Sequence, residues 1–280
     1  MLPNFRIDSV ITNALQEDVP YLDISAAYLF ADSHQSEGYL LSKSEGVLCG
    51  IDVFRRTLEL TDTSIRFAAK LTDGAPFQRG DVLAEFAGST KSLLIAERTA
   101  LNLLQHMTGI ASYTAQCVAA VAGTHACIAD TRKTLPGLRA LEKYAVTCGG
   151  GKNHRYCLSD GVMLKDNHID AAGSITKAIQ TVRAAVGHMV KIEVETRNLS
   201  EVEEAIRTGA DIVMLDNMSA ADMAAAVQTY PATVFEASGN ITLENIREKA
   251  AAGVHIISLG ALTHSVAAAD ISMRIKKQEE

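Results

Sequence analysis

The sequence predicts an α/β barrel that follows an N-terminal α+β domain. In the second half of the chain, apolar runs of strand length alternate six times with segments of helical pattern. Short strands that are apolar throughout are typical of a parallel sheet covered by helices. The predicted strands lie in HACIAD, GVMLKD, VKIEVET, DIVMLDN, TVFEAS and HIISLG. The predicted helices lie in PGLRALEKYAV, AAGSITKAIQTVRAAV, LSEVEEAIRTG, SAADMAAAVQTY and TLENIREKAAAG.

Each predicted strand ends in polar or glycine residues, and the last four of these ends are evenly spaced. The last four ends, Glu195, Asp216, Ser238 and Gly260, are separated by 21, 22 and 22 residues. Parallel strands present their carboxyl ends at one rim, and α/β barrels carry their active sites there. A single polar residue after a strand is more often a cap or a turn. Six such ends, one on each predicted strand, favour a functional site at this rim.

The first hundred residues predict the α+β domain. GYLLSKSEGVLCGIDV, SIRFAAKLTDG and DVLAEFAG have the pattern of short strands separated by glycine turns. The following segment, LLIAERTALNLLQHM, places Leu94, Leu101 and Leu104 on one face of a helix. From position 99 to 129 the chain contains no Asp, Glu, Lys or Arg. We expect one or two buried helices there, broken near Gly109 and Gly123.

Charge and cysteine content exclude several classes of protein. The 280 residues carry a formal net charge of -7, which gives no bulk attraction to nucleic acid or an anionic membrane. The five cysteines are odd in number and form no Cys-x-x-Cys pair, which argues against a disulfide framework and a structural zinc site. The first 18 residues lack the apolar core of a signal peptide. These features predict a cytoplasmic protein.

Positive charge is concentrated between positions 130 and 168, where seven Lys or Arg residues face four acidic residues. Arg132 follows one predicted strand between Thr131 and Lys133, and Lys165 follows the next. His154 and Arg155 lie between these strands, in the loop CGGGKNHR. Arginine binds carboxylates through two parallel hydrogen bonds, whereas lysine acts as a point charge. The pattern suits a ligand with more than one carboxylate, although a solvated charged face remains the alternative.

Two acidic residues end consecutive strands. The carboxylates of Glu195 and Asp216 suggest a hard divalent cation such as Mg²⁺, shared with a phosphate ligand. The alternative, that they pair with Lys165 or Arg132, stays open.

The last two strand ends suggest a phosphate site. Ser238, Gly239 and Gly260 stand where backbone N–H groups can approach an anion, as in many α/β barrels. His264, about one turn later, could reach the same ligand or cap a helix.

Several segments resemble the quinolinate phosphoribosyltransferase family. The most specific is TRKTLPGLRALEKYAVTCGGGKNHRYCLSDGVMLKDNHI, at positions 131–169. The likeness extends over nearly the whole chain and includes ALQEDVPYLDIS, ERTALNLLQHMTGIAS, KIEVET, DIVMLDN, EASGNI and ISLGALTHS.

The resemblance implies a fold, an assembly and a reaction. The barrel would be irregular, with six or seven parallel strands. The expected segments are an N-terminal α+β domain at 1–108, a catalytic barrel at 109–266 and a tail at 267–280 that packs back on the first domain. The expected assembly is a homodimer or a set of dimers. The expected reaction transfers the phosphoribosyl group of phosphoribosyl pyrophosphate to quinolinate, with loss of CO2, on the de novo route to NAD.

The resemblance also implies roles for residues of this chain. Quinolinate would meet Arg132, His154, Arg155 and Lys165, with Arg98 supplied by the partner subunit. Lys133 would contact the phosphoribosyl donor beside Thr131, and Glu195 and Asp216 its ribose and Mg²⁺. The 5′-phosphate would lie near Ser238, Gly239, Gly260 and His264. The residues expected to act in catalysis are Lys133, Glu195 and Asp216.

Four other functions remain open at the level of sequence. The molybdenum-transport-associated paralogue shares the fold but lacks the Lys-Asp-Asn-His pattern present here at 165–168. Nicotinate phosphoribosyltransferase is a more distant relative, whose substrate lacks one carboxylate. A lyase or aldolase could use Lys165 to form a Schiff base. A binding module for a phosphorylated metabolite would release no product.

Overall fold

The computed structural model of the protein describes residues 2–277. The elements of the first half, in chain order, are α1 (Asn4–Asp18), α2 (Ile24–Leu29), β1 (Gln35–Ser42), β2 (Gly46–Val47), α3 (Ile51–Thr61), β3 (Arg66–Ala69), β4 (Pro76–Phe77), β5 (Val82–Ser89) and α4 (Thr90–Ala120). Those of the second half are β6 (Cys127–Ala129), α5 (Arg139–Cys148), β7 (Val162–Leu164), α6 (Asp166–Ala172), α7 (Ile175–Ala185), β8 (Ile192–Thr196), α8 (Leu199–Thr208), β9 (Ile212–Asp216), α9 (Ala220–Thr229), β10 (Val234–Ser238), α10 (Ile246–Ala251), β11 (Ile256–Ser258), α11 (Ala261–His264) and β12 (Ile271–Ile275).

These elements form two compact units. The first contains the chain up to Ala115, Thr134–Gly150 and the residues from Leu262 onward. The second contains Gln116–Lys133 and Gly151–Ala261. The boundaries predicted from the sequence stay predictions, and their ends at Met1 and 278–280 lie outside the described residues. None of the described helices is long and apolar enough to cross a membrane.

The first unit is built on a four-stranded antiparallel sheet in the order β12, β1, β5, β3. Side chains alternate across β1, so that Leu40 enters the core while its neighbours are half-buried. Helix α3 buries Phe54 and Leu58, one turn apart, against the same core. The Phe54 ring centroid lies 6.4 Å from that of Phe86 on β5. A hydrophobic core therefore joins the sheet to its helix.

Helix α4 runs without interruption from Thr90 to Ala120, so the predicted break at Gly109 is wrong. Glycine is present there for a different reason. A Cβ atom at this position would overlap the backbone carbonyl oxygen of Ala267 and lie 3.0 Å from Val266 Cγ1. Close backbone approach, and not a helix break, accounts for the glycine. The helix does end shortly before Gly123, which has a positive φ of 81°.

The second unit contains the six predicted strands as one parallel sheet in the order β6, β11, β10, β9, β8, β7. This confirms the predicted α/β barrel with its N-terminal α+β domain. Strands β6 and β7 are consecutive in the chain but stand at opposite ends of the hydrogen-bonded order. Helices α7, α8 and α9 begin at side-chain caps, as their sequences predict. At α8 the Asn198 side chain accepts from the Glu201 N–H.

The CGGGKNHR segment continues the parallel pairing beyond β6. The Lys152 N–H donates to the Ile128 carbonyl at 2.8 Å, and the Asp130 N–H donates to the Lys152 carbonyl at 3.2 Å. Lys152 and Ala129 thus form an isolated parallel bridge, while the Lys152 side chain is exposed. The segment is a one-residue extension of the sheet, and His154 and Arg155 follow it directly.

The Gly149→Ala variant should be less stable by about 1–3 kcal/mol, because overpacking forces backbone shifts. A Cβ atom at Gly149 would overlap the Ala111 carbonyl oxygen and lie 2.6 Å from Thr114 Cβ on α4. Its φ of -77° suits any residue, so the cost is steric alone. Urea unfolding measures it, with Gly187→Ala as control, since nothing lies within 4 Å of a Cβ there. Equal midpoints for both variants would contradict the close packing.

Candidate active site

The carboxyl ends of β7 to β10 carry four predicted site residues. Asp216 and Ser238 are paired positions on β9 and β10. The Lys165 Nζ atom, directly after β7, donates to Glu195 Oε2 on β8 at 2.5 Å. The alternative that Glu195 pairs with Lys165 is therefore observed. Asp216 Oδ2 accepts from the Asn217 side-chain amide at 2.8 Å.

Two guanidinium groups lie near each other at this end of the barrel. Burial, followed by the positive charge of Arg132, lowers the pKa of Arg155. Arg155 Nη1 donates to the Gly161 carbonyl at 2.9 Å, which fixes one edge of its guanidinium. The Nε atom of Arg132 is buried and has no hydrogen-bond partner within the described residues. Glu193 and Asp160 offset this positive charge only in part, since the pKa of Arg155 is still lowered. The unused Arg132 donor and the remaining positive charge both favour an anionic ligand.

His154 lies between two buried carboxylates. Its Nε2 atom is 2.9 Å from Glu193 Oε2 on β8 and 3.5 Å from Glu236 Oε2 on β10. The two glutamates are 4% and 1% exposed. The other oxygen of each, Oε1, is buried and has no partner among the described residues. Because one imidazole beside β6 reaches β8 and β10, the sheet must curl around this cluster.

The charge of His154 depends on opposing effects. Burial lowers the pKa of the ring, but its hydrogen bonds to Glu193 and Glu236 outweigh burial and raise the pKa to about 10. The Arg155 backbone N–H lies 2.7 Å from Nδ1, a contact that only an unprotonated Nδ1 accepts. The two carboxylates favour protonation of the ring more strongly than this single N–H opposes it. We therefore assign an imidazolium ion at neutral pH. Burial likewise raises the pKa of Glu193.

The loop that carries these groups is fixed by two aspartates. Asp130 Oδ1, at the end of β6, accepts from the His154 N–H at 2.8 Å. Asp160 Oδ2 accepts from the backbone N–H groups of Tyr156 and Cys157 at 2.6 and 3.1 Å. His154 and Arg155 are therefore held from both sides.

The loops that follow β9 and β10 contact each other and contain residues of positive φ. Asn217 and Asn240 both adopt positive φ, at 54° and 49°, and Gly239 has a φ of 89°. The Asn240 side-chain nitrogen donates to Asn217 Oδ1 at 2.9 Å. A Cβ atom at Gly239 would overlap that same amide. Gly239 is thus required by both backbone conformation and space.

The remaining predicted site residues occupy varied positions. In the barrel unit, the Thr131 hydroxyl accepts from the Lys133 N–H at 3.0 Å, the Lys133 side chain is exposed, and Gly260 follows β11. In the other unit, Arg98 is exposed on α4, and His264 ends α11 with Nδ1 2.5 Å from Ser265 Oγ. Their predicted roles in ligand binding stay predictions.

Sequence reasoning missed the carboxylates that hold His154. Glu193 stands two residues before Glu195, and Glu236 two before Ser238. Side chains two apart on a strand share a face, so both glutamates point the same way as the predicted site residues. That alternation was the available signal. It did not reveal that His154 lies between the two strands.

The imidazolium state of His154 is measurable by NMR on protein with labelled histidine, with the signal assigned through a His154→Gln variant. The midpoint should lie near 10, well above the ordinary 6.5. Because the folded-state pKa is the higher one, the associated stabilisation is complete below about pH 6.5 and is lost as the pH rises through about 10.

In Glu193→Gln the midpoint should fall, since the first hydrogen-bonding carboxylate is lost while burial remains. A wild-type midpoint at or below 6.5 would mean that burial and the Arg155 N–H prevail over the carboxylates.

Comparison with known proteins assigns the family. The model of the quinolinate phosphoribosyl transferase N-terminal domain matches residues 23–108, and that of the C-terminal domain matches residues 110–274. A probable nicotinate-nucleotide pyrophosphorylase [carboxylating] of Bacillus subtilis is 41% identical over 99% of this chain and 96% of its own length. Its counterpart in Synechocystis is 45% identical, over 98% and 94%.

A solved structure agrees with the sequence relatives. The crystal structure of NadC from Streptococcus pyogenes superimposes with a TM-score of 0.96 at 42% identity and covers 100% of this chain and 99% of its own. These findings confirm the resemblance seen in the sequence, because they extend over both halves of the chain. The protein belongs to the quinolinate phosphoribosyltransferase family.

Proposed function

We propose that the protein transfers the phosphoribosyl group of phosphoribosyl pyrophosphate to quinolinate and releases CO2, pyrophosphate and nicotinate mononucleotide, a step of de novo NAD biosynthesis. The observation that carries this proposal is the pair of neighbouring guanidiniums, Arg132 and Arg155. Burial and, after it, the charge of Arg132 lower the pKa of Arg155, and the buried Nε of Arg132 has no partner among the described residues. A ligand with two carboxylates relieves this repulsion and supplies the acceptors.

Quinolinate binding would use the basic end of the barrel. Its carboxylates would meet Arg132, Arg155 and Lys165, with His154 close by. Both ring nitrogens of His154 already contact protein atoms. Its main contribution in this proposal is the positive charge of its imidazolium ring.

Phosphoribosyl transfer would use the carboxylates at the strand ends. Departure of pyrophosphate builds positive charge on the ribose ring, which Glu195 and Asp216 would stabilise. Lys133, beside Thr131, would donate to the leaving pyrophosphate. The 5′-phosphate would lie at the last strand ends and the residue that follows them, namely Ser238, Gly239, Gly260 and His264.

Mg²⁺ fits the donor set, because Glu195 and Asp216 offer hard carboxylate oxygens on adjacent strands. Glu195 is already paired with Lys165 and Asp216 with Asn217. The two carboxylates would therefore hold the ion through water or through the phosphoribosyl donor. When bound, the ion supplies positive charge to the leaving pyrophosphate.

Decarboxylation would follow without a nucleophile from the protein. The new bond makes the ring nitrogen cationic, which stabilises the electron pair that departing CO2 leaves on the adjacent ring carbon. A proton from solvent then takes the place of CO2 on that carbon. The protein needs to hold the adjacent carboxylate in a dry, oriented site. The competing Schiff-base function of Lys165 is less well supported, because its Nζ atom donates to Glu195 at 2.5 Å.

The assembly and location follow as part of the same proposal. The active unit would be a homodimer, or a set of dimers, in the cytoplasm. Arg98 is exposed on α4 and would enter the site of the partner subunit.

Simultaneous release of CO2 and pyrophosphate from quinolinate, phosphoribosyl pyrophosphate and Mg²⁺ tests the proposed function. Nicotinate should be a poorer substrate by on the order of 10⁴-fold, because it leaves buried cationic donors unpaired. Equal use of nicotinate, or no release from quinolinate, would overturn the proposal.

A matched pair of variants locates the recognition. Arg132→Ala should lower kcat/KM for quinolinate roughly 30- to 1,000-fold, since losing one member of a desolvated charge pair costs about 2–4 kcal/mol. Lys152→Ala removes an exposed cation from the same loop and should keep near-normal activity. Equal losses would point to general charge and not to a specific contact.

Complementation tests the shared site. Arg98→Ala should inactivate the enzyme with the fold intact, because the side chain is exposed. Mixed with Arg132→Ala under conditions that exchange subunits, it should recover about one quarter of wild-type activity, since half of the dimers would hold one intact site. A mixture no more active than its components would contradict a shared site.

A further inference from the structure

A group of metal-binding side chains lies in the first unit, where the proposed reaction assigns no role. Cys49, Asp73 and Cys148 each offer one ligand atom, and these atoms lie within 4.8 Å of one another. Cys49 precedes α3, Asp73 lies in the turn between β3 and β4, and Cys148 ends α5. Sequence patterns do not reveal this group, because the residues are 24 and 75 positions apart.

Two of the three ligand residues, Asp73 and Cys49, are held by further hydrogen bonds. Asp73 Oδ1 accepts from the N–H groups of Gly50 and Ile51 at 2.9 and 3.0 Å, and Oδ2 accepts from the Tyr144 hydroxyl at 2.9 Å. The Thr108 hydroxyl bonds both the N–H and the carbonyl of Cys49, at 3.2 and 2.9 Å. Metal sites use this kind of outer support to orient their ligands.

The position of this group shields it from water. Cys49 is fully buried and Cys148 is half-buried, so two sulfur atoms and one carboxylate oxygen converge below the surface of the first unit. A cation bound at such a place deprotonates the thiols that coordinate it.

We propose that Cys49, Asp73 and Cys148 form a binding site for a thiophilic divalent cation of the Zn²⁺ type. Two thiolates and a carboxylate suit tetrahedral Zn²⁺, with water in the fourth position, whereas Mg²⁺ and Ca²⁺ avoid thiolates. Bond lengths of about 2.3 Å to sulfur and about 2.0–2.2 Å to oxygen need the ligand atoms within roughly 4 Å. The ligand atoms, which lie within 4.8 Å of one another, would have to move closer by side-chain rotation when the metal binds. On binding, each thiol transfers its proton to solvent, and the sulfur electron pair forms the bond to the metal.

A metal at this place would join the start of α3 to the end of α5. Gly149 follows Cys148 directly and already packs against the α4 backbone. Metal binding would therefore stabilise the start of the loop that continues to His154, and the unfolding temperature should rise with the concentration of free metal.

Co²⁺ serves as the spectroscopic probe on the reduced, full-length protein. We expect one Co²⁺ per chain, with intense near-ultraviolet charge-transfer bands from thiolate to cobalt and the visible bands of a tetrahedral ion. Zn²⁺ should displace it and abolish both. The bands should be lost in Cys148→Ser and weakened in Asp73→Asn. Cys157→Ser is the matched control, because Cys157 is also half-buried, and its bands should be unchanged.

The proposal also has a test that needs no variant. Zn²⁺ should slow alkylation of Cys148 by iodoacetamide at least tenfold, measured by peptide mass spectrometry, while labelling of Cys157 is unaffected. Absence of charge-transfer bands, their persistence in Cys148→Ser, or equal protection of both cysteines would overturn the site. These readouts require no turnover, so they stand or fall independently of the proposed reaction.

Discussion

Two backbone hydrogen bonds join Lys152 to the first strand of the barrel, and the candidate site depends on them. They place Lys152 beside the edge of β6 in a parallel bridge, through its hydrogen bonds with Ile128 and Asp130. His154 and Arg155 then follow at fixed positions, since the Asp130 carboxylate also holds the His154 N–H. A loop rich in glycine becomes rigid in this way, because its backbone groups are paired with a strand.

The two buried carboxylates around His154 lower the stability of the barrel. Glu193 and Glu236 each retain a buried oxygen without a partner in the described chain. An unsatisfied buried acceptor costs about 1–3 kcal/mol, so a barrel interior selected for stability alone would exclude them. Both carboxylates do raise the pKa of His154. The two glutamates therefore cost stability, but they keep a positive charge on His154, which directly precedes Arg155.

Two glycines illustrate how the role expected from the sequence compares with the surroundings found in the structure. Gly109 was expected to break a helix, because glycine is a poor helix former. Helix α4 continues through it, and the backbone of Ala267 occupies the space that a side chain would take. Gly239 was expected to let an anion approach, which stays a prediction, and the Asn217 amide occupies the space that a side chain would take. In both cases a segment distant in sequence fills the space beside the glycine.

The sequence by itself determined the six parallel strands, the α+β domain and the family, because alternating apolar periods and local motifs depend on neighbours in the chain. It also determined that Lys165, Glu195, Asp216 and Ser238 end their strands. Only the tertiary structure decided which strands stand side by side and what lies between them. It placed His154 between Glu193 and Glu236, and it brought Cys49, Asp73 and Cys148 together. The physical reason is that such contacts join residues far apart in sequence, whose meeting depends on how the whole sheet and its helices pack.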